Sequence, residues 1–250
     1  MKHETLVTKQ FGSRAQAYLE SAVHAAGDDL RLLGEAIAAS PDALVLDLGC
    51  GAGHASFAVA KHAAQVVAYD LSEEMLNIVK RTAEERSLKN LTVAQGAAEK
   101  LSLPSNSMDW VISRYSAHHW HNVPAALREV RRVLKPGGRV LLIDTVGEET
   151  PLLDTYLQAI ELLRDPSHVR NYSRREWGSM FTDAGFAPTI EQEWPLPLNF
   201  AAWVARMRTP LENVTAIQSL WAAAPDEVVR HFEVQSDGSF TLRTGMIAAH

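Results

Sequence analysis

"LVLDLGCGAGHAS", residues 44–56, runs from unbroken apolar residues through three glycines into a helix start. Gly49, Gly51 and Gly53 stand at i, i+2 and i+4 directly behind the apolar run. Glycine there permits positive φ and lets a ligand approach the backbone with no Cβ in the way. The helix that follows adds free N–H groups at its first turn. A dinucleotide fingerprint reads G-x-G-x-x-G and sets a pyrophosphate over the helix N-terminus. Here the third glycine comes one residue early and His54 takes its place, which disfavours NAD. Asp47, two residues before the first glycine, suits a ligand carrying positive charge.

Outward from this turn, residues 43–145 alternate apolar runs with amphipathic stretches, the pattern of parallel βαβ units. The runs are "ALVLDL", "QVVAYD", "LTVAQ", "MDWVIS" and "GRVLLIDT", apolar almost throughout, as strands covered on both faces are. Between them, helices are expected at about Ala55–His62, Ser72–Arg86 and Val123–Leu134, the last stopped by Pro136 and Gly137. Asp70 closes the second run roughly 20 residues past the first glycine, where a strand-end carboxylate can accept from both ribose hydroxyls. A glycine turn with an acid before it and another at the next strand end fits a ligand with a ribose, no phosphate and a cationic end. S-adenosylmethionine meets that description.

The flanks are less patterned. Residues 13–39 read as helix, part of an N-terminal helical cover over residues 1–40, and helices are expected at Leu152–Arg164 and Ser173–Ala184. The latter opens with Ser173 and Glu176 at capping-box spacing. "APTIEQEW" and "SFTLRTGMIAAH" read as strands, and residues 196–237 as a helical insertion or lid. Trp203, Met207 and Trp221 in that insertion suit an apolar substrate chamber, a satellite core or a homodimer contact. The expected fold class is α/β, one domain over residues 1–250 with a doubly wound sheet.

Composition narrows the partners. A net charge of −6 with no local basic cluster gives no footprint for nucleic acid. One cysteine allows no disulfide framework, and neither a signal peptide nor a membrane span is found, so a cytoplasmic location is expected.

Four stretches, "VLDLGCGAGHAS", "VVAYDLSEEML", "GAAEKLSLPSNSMDWVISRYSAHHW" and "ALREVRRVLKPGGRVLLIDT", resemble successive motifs of class I S-adenosylmethionine-dependent methyltransferases, nearest the ubiquinone/menaquinone C-methyltransferase subgroup. "RNYSRREWGSMFTDAGF" adds a weaker match. The resemblance implies a seven-stranded Rossmann-like sheet, mainly parallel, with one antiparallel strand near the C-terminus. It implies that Asp47, Gly49, Cys50 and Gly51 line the methionine end of S-adenosylmethionine, that Asp70 holds the ribose, and that Leu71 and Met75 flank the sugar or adenine. Ala97, Ala98 and Glu99 match the adenine-edge segment, although many relatives carry aspartate where this chain has Ala97. Ser113 and Arg114 fall at the substrate mouth.

Function then follows from the cofactor's chemistry: in-line methyl transfer to a small-molecule acceptor, leaving S-adenosylhomocysteine. His118 or His119 is the candidate to orient or deprotonate the acceptor. Tyr18, His118, Arg170 and Tyr172 are candidate substrate contacts, although "RNYSRRE" also reads as an ordinary solvated helix start. The "HHWH" run lacks metal-ligand spacing, so no metal is expected. Cys50, inside the turn with no base beside it, reads as packing rather than nucleophile. The alternatives are a noncatalytic S-adenosylmethionine-binding protein and a nicotinamide-dependent oxidoreductase.

Overall fold

A computed structural model describes residues 2–12 and 27–250. In chain order the elements are α1 (His3–Gly12), α2 (Asp28–Ala38), β1 (Leu44–Leu48), α3 (His54–Val59), β2 (Gln65–Asp70), α4 (Glu73–Glu85), β3 (Leu91–Gln95) and β4 (Met108–Arg114). A 3-10 turn over Ala117–His119 leads to α5 (Val123–Val133), β5 (Leu134–Thr145), α6 (Pro151–Arg164), α7 (Arg174–Asp183) and β6 (Pro188–Leu198). Then come α8 (Phe200–Met207), α9 (Leu211–Ala222), α10 (Asp226–His231) and β7 (Phe240–Ala249). The sheet order is β3-β2-β1-β4-β5-β7-β6. β1 to β5 pair in parallel, and β7 runs antiparallel to both β5 and β6.

Apolar residues on both parities of each strand produce two cores. Along β1, Leu46 and Leu48 join Val123, Leu127, Val130, Trp177 and Phe181 of α5 and α7 on one face. Val45 joins Leu33, Ile37 and Val59 of α2 and α3 on the other. β5 splits in the same way, Val140 and Leu142 against Leu141 and Ile143. This two-sided burial is why the strands read as continuous apolar runs. A third core gathers Leu157 and Ile160 of α6 with Trp203, Ile217, Trp221, Phe232 and Phe240. Trp203 meets Phe240 edge-on at 4.9 Å, so the tryptophans of the 196–237 region fill a satellite core.

Several boundaries differ from expectation. α5 ends at Val133, because Leu134 is already extended and pairs with Met108, and Pro136 bars helical backbone at Lys135. α3 starts at His54 and is shorter than read. β6 continues through Pro195 and Pro197 to Leu198. It lies at the edge of the sheet, where a missing N–H costs no ladder bond. The expected helix over residues 13–39 is seen as α2 from Asp28 onward, its residues 13–26 lying outside the described ones, and α1 is a separate helix within the 1–40 stretch read as a helical cover. The capping box of Ser173 and Glu176 is present at α7, and Ser72 caps α4.

Phe181 is fully buried, edge-on to Phe186 at 5.7 Å. Phe181→Ala is expected to lower the unfolding free energy by about 3–5 kcal/mol, measured as a reduced midpoint in urea denaturation.

Candidate functional site

The turn after β1 is stitched to the end of β2. Gly49 and Cys50 both donate their N–H groups to the Tyr69 carbonyl, at 2.8 and 3.0 Å. The Asp70 carboxylate accepts from Gly51 N–H at 2.8 Å through one oxygen and from Ser72 N–H at 2.9 Å through the other. The three glycines all have positive φ, and Gly49 and Gly51 need their lost Cβ differently. A Cβ on Gly49 would lie 1.9 Å from Ser116 Oγ, so this glycine lets β4's end pack on the turn. A Cβ on Gly51 would meet no heavy atom within 4 Å, so its backbone borders open space.

Two acids lie beside that space. Asp47 is buried; Ser56 Oγ donates to its Oδ2 at 2.5 Å, and Oδ1 has no protein partner. Burial, moderated by Ser56 and reinforced by the nearby Asp70 charge, pushes the Asp47 carboxyl up to about 6. Asp70 is also raised by burial, against which the N–H groups of Ser72 and Gly51 pull it back. Burial, together with Asp70 and Asp47, raises the Cys50 thiol well above its ordinary value, so it stays protonated and unreactive.

One cleft takes in Asp47, Gly49, Cys50, Gly51, Asp70, Leu71, Met75, Ala97, Ala98, Glu99 and Arg114 of the expected residues. Glu99 also accepts from Asn122 N–H at 3.0 Å, tying the segment after β3 to the start of α5. The opposite wall holds Tyr115, Ser116, His119, Trp120 and His121, and α1 closes over it with His3, Glu4, Val7 and Phe11. Ser113 is not on the lining: it is buried and its hydroxyl donates to the Leu48 carbonyl at 2.7 Å. Arg114 lines the cleft, but its guanidinium is paired with Asp29 of α2 at 2.5 Å.

The substrate candidates separate. Arg170 is held by Asp154 at 2.9 Å and Glu176 at 3.1 Å and lies off the cleft, away from the place expected of a substrate contact. Tyr172 packs against Trp177 at 5.4 Å, also away from the cleft. Tyr18 falls outside the described residues. His119 lines the cleft and meets Phe11 of α1 edge-on at 4.8 Å, whereas His118 lies behind it, ring to ring at 4.2 Å.

Behind the wall is a buried polar cluster. His118 Nδ1 is 2.5 Å from Asp144 Oδ1. Burial lowers the His118 ring's proton affinity, but the Asp144 charge and hydrogen bond, with Glu161 and Asp165, raise its pKa overall. Burial and the neighbouring His118 push His119 down to about 4, so it is neutral near pH 7. His119 Nδ1 faces the Ser167 carbonyl at 3.2 Å, an acceptor, so this nitrogen carries the proton, and Nε2 lies 3.9 Å from Asp165 Oδ2. His168 is driven to about 2 by burial and by His118 and His119, with its Nε2 on Gln158 Oε1 at 3.0 Å. Asp144, Asp165, Ser167, His168 and Ser56 went unnoticed in the sequence. Asp144, the acid ending "LLID", had a signal of the same kind as Asp70, but the others had none.

Among the described residues no group of three or more His, Cys, Asp or Glu is arranged to hold a metal ion, and no helix is long and apolar enough to cross a membrane.

A methyltransferase-domain family matches residues 46–142. The uncharacterized protein YafE of Escherichia coli is 48% identical over 202 residues, covering 81% of this chain and 98% of its own. YcgJ of Bacillus subtilis, an uncharacterized methyltransferase, is 37% identical over 217 residues, 87% of this chain and 86% of its own. The YcgJ crystal structure aligns with a TM-score of 0.83 at 36% identity, covering 88% of this chain and 97% of that one. The demethylmenaquinone methyltransferase of Lactococcus lactis is 38% identical over 121 residues, 47% of each chain.

The neutral buried histidines set an acid limit on stability. His119 and His168 have folded pKa values below the ordinary 6.5, so the unfolded chain binds more protons below pH 6.5 and stability falls from there downward. Each contributes a slope of at most ~1.4 kcal/mol per pH unit. Thermal melts from pH 7.5 to 4.5 should show that fall, and His168→Gln should make it shallower.

Proposed function

The chain belongs to the class I methyltransferase family, and we propose that it transfers the methyl group of S-adenosylmethionine to a small-molecule acceptor. The observation that carries this reading is the pair of acids on one cleft. Asp47 Oδ1 is buried without a partner, suited to an ammonium group directly or through a water. Asp70 accepts one backbone N–H on each oxygen and keeps lone pairs for two ribose hydroxyls. The open backbone at Gly51 admits a ligand between them. A pyrophosphate would meet two carboxylates there, which counts against a nicotinamide cofactor.

When bound, S-adenosylmethionine supplies a methyl group already activated by its sulfonium. This chain's residues then bind, align and exclude water. Leu71 and Met75 give the apolar surface for the sugar and base, and the backbone at Ala97 and Ala98 with Glu99 borders the adenine edge. α1, set over the cleft by Phe11, excludes solvent. His119 is the wall residue assigned to acceptor orientation: neutral at pH 7, it borders the cleft as an uncharged ring, with Nδ1 on the Ser167 carbonyl and Nε2 3.9 Å from Asp165 Oδ2. The match to the demethylmenaquinone enzyme of L. lactis supports a small organic acceptor, and the absence of a basic cluster in the sequence agrees with it.

Titration calorimetry tests the reading with S-adenosylmethionine, S-adenosylhomocysteine and NADH as control. Both sulfur nucleosides should bind, and Asp70→Ala should weaken them about 10- to 100-fold, the loss of two hydrogen bonds to a charged acceptor. No binding, or preference for NADH, overturns the proposal. Because the Asp47 carboxyl sits near 6 and the ammonium requires it ionised, S-adenosylmethionine affinity should drop as pH falls below 6. The limit is about tenfold per unit, and the drop should be absent in Asp47→Asn.

A further inference from the structure

Asp144 grips one residue twice. Its Oδ1 is 2.5 Å from His118 Nδ1, and its Oδ2 accepts His118 N–H at 3.2 Å. Oδ1 also takes Thr145 N–H at 2.8 Å, so the carboxylate is fixed to the end of β5. The carbonyl of His118 in turn accepts Val169 N–H at 2.8 Å and Arg170 N–H at 3.2 Å, which holds the loop after α6. Asp165 shapes that loop from within, accepting Ser167 N–H at 2.8 Å and Ser167 Oγ at 2.6 Å. The result is a single outward carbonyl, that of Ser167, shared by two imidazoles: His119 Nδ1 of the cleft wall at 3.2 Å and His3 Nε2 of α1 at 3.0 Å. α1 buries none of its own residues; it docks through this bond, through Phe11, which meets His119 and packs on Ala52, Met75 and Ile78, and through the His3 ring 6.0 Å from that of His121.

We propose that Asp144 is a positioning residue: through His118 and the loop it holds, it sets the Ser167 carbonyl that latches both His119 and the cover helix α1 over the cleft. Asp144 touches neither the cleft nor α1. Its effect reaches them through two residues that do, so its loss loosens one wall and the cover together while leaving the turn after β1 and its tie to β2 in place. The consequence for catalysis rests on the methyltransferase reading, but the coupling itself belongs to the protein without ligand and is measured there.

The groups facing His118 are Asp144 from β5, Glu161 from α6, Asp165 and His168 from the loop and His119 beside it, with Arg164 and Arg170 acting on His168. Replacing Asp144 by asparagine removes the carboxylate that, with Glu161 and Asp165, offsets burial, so the His118 ring should titrate lower.

Two readouts on the full-length protein without cofactor test the chain of contacts: millisecond hydrogen–deuterium exchange of the peptide spanning residues 2–12, and NMR titration of the histidine Cε1–H resonances. Asp144→Asn should move the His118 titration down and speed exchange in α1 at least tenfold. His3→Ala should speed α1 exchange to the same degree without moving His118. A general loss of stability would spread faster exchange over β1 and β2; the proposal requires those strands to stay within twofold of wild type in both variants. Unchanged α1 exchange in either variant, or accelerated exchange throughout the sheet, overturns it. His3 is half-buried at the chain's start, so the His3→Ala result decides the latch even where Asp144→Asn does not fold. Calorimetry with S-adenosylhomocysteine on the wild type, run in parallel, separates failure of the latch from failure of the cofactor assignment.

Discussion

The floor of the cleft depends on two carboxylate–amide bonds, those from Gly51 and Ser72 to Asp70. They fix a turn with three positive φ values against the end of the neighbouring strand. Without them the glycine segment would have the freedom its composition invites. With them, the backbone at Gly51 is a fixed surface beside a buried acid. Burying acids is costly, and here part of the cost is offset by backbone N–H groups, while Asp47 is left with one oxygen unsatisfied. That unsatisfied oxygen is the feature on which the proposed contact with an ammonium group rests.

The two sides of the cleft are built on different plans. The floor, from β1 to α4, consists of residues close in the chain and joined by main-chain bonds. The opposite wall is assembled from distant pieces: Arg114 with Asp29, His118 with Asp144, His119 with Ser167. The wall's Arg114 is engaged by Asp29. The wall therefore lines the cleft chiefly with imidazole and aromatic surfaces.

This difference explains what was legible in the sequence. The strands were readable because both faces are buried, which leaves an apolar run with no alternation. The positions of Asp47 and Asp70 on the cleft were readable because they depend on spacing to a glycine turn within some two dozen residues. Arg170 looked like a free cation, and only the fold brings Asp154 and Glu176 to it. Ser113 had the right strand end but the wrong parity: its side chain turns into the sheet toward Leu48. The end of α5 was misplaced because Leu134 gives up its helical position to pair with Met108, a contact no local pattern announces.

β6 closes the sheet on one side and carries Pro188, Pro195 and Pro197. The irregularity between Ile190 and Gln192 shifts the register so that all three prolines fall opposite odd-numbered β7 residues, Ala249, Arg243 and Thr241. Ala187, opposite His250, is of the class that donates across the ladder. The prolines therefore occupy the alternate class, whose N–H groups would point away from the sheet. A strand from another chain arriving at this border would find gaps where it needs donors. A seven-stranded sheet that might have served as a template for endless cross-chain pairing is, on this side, finished.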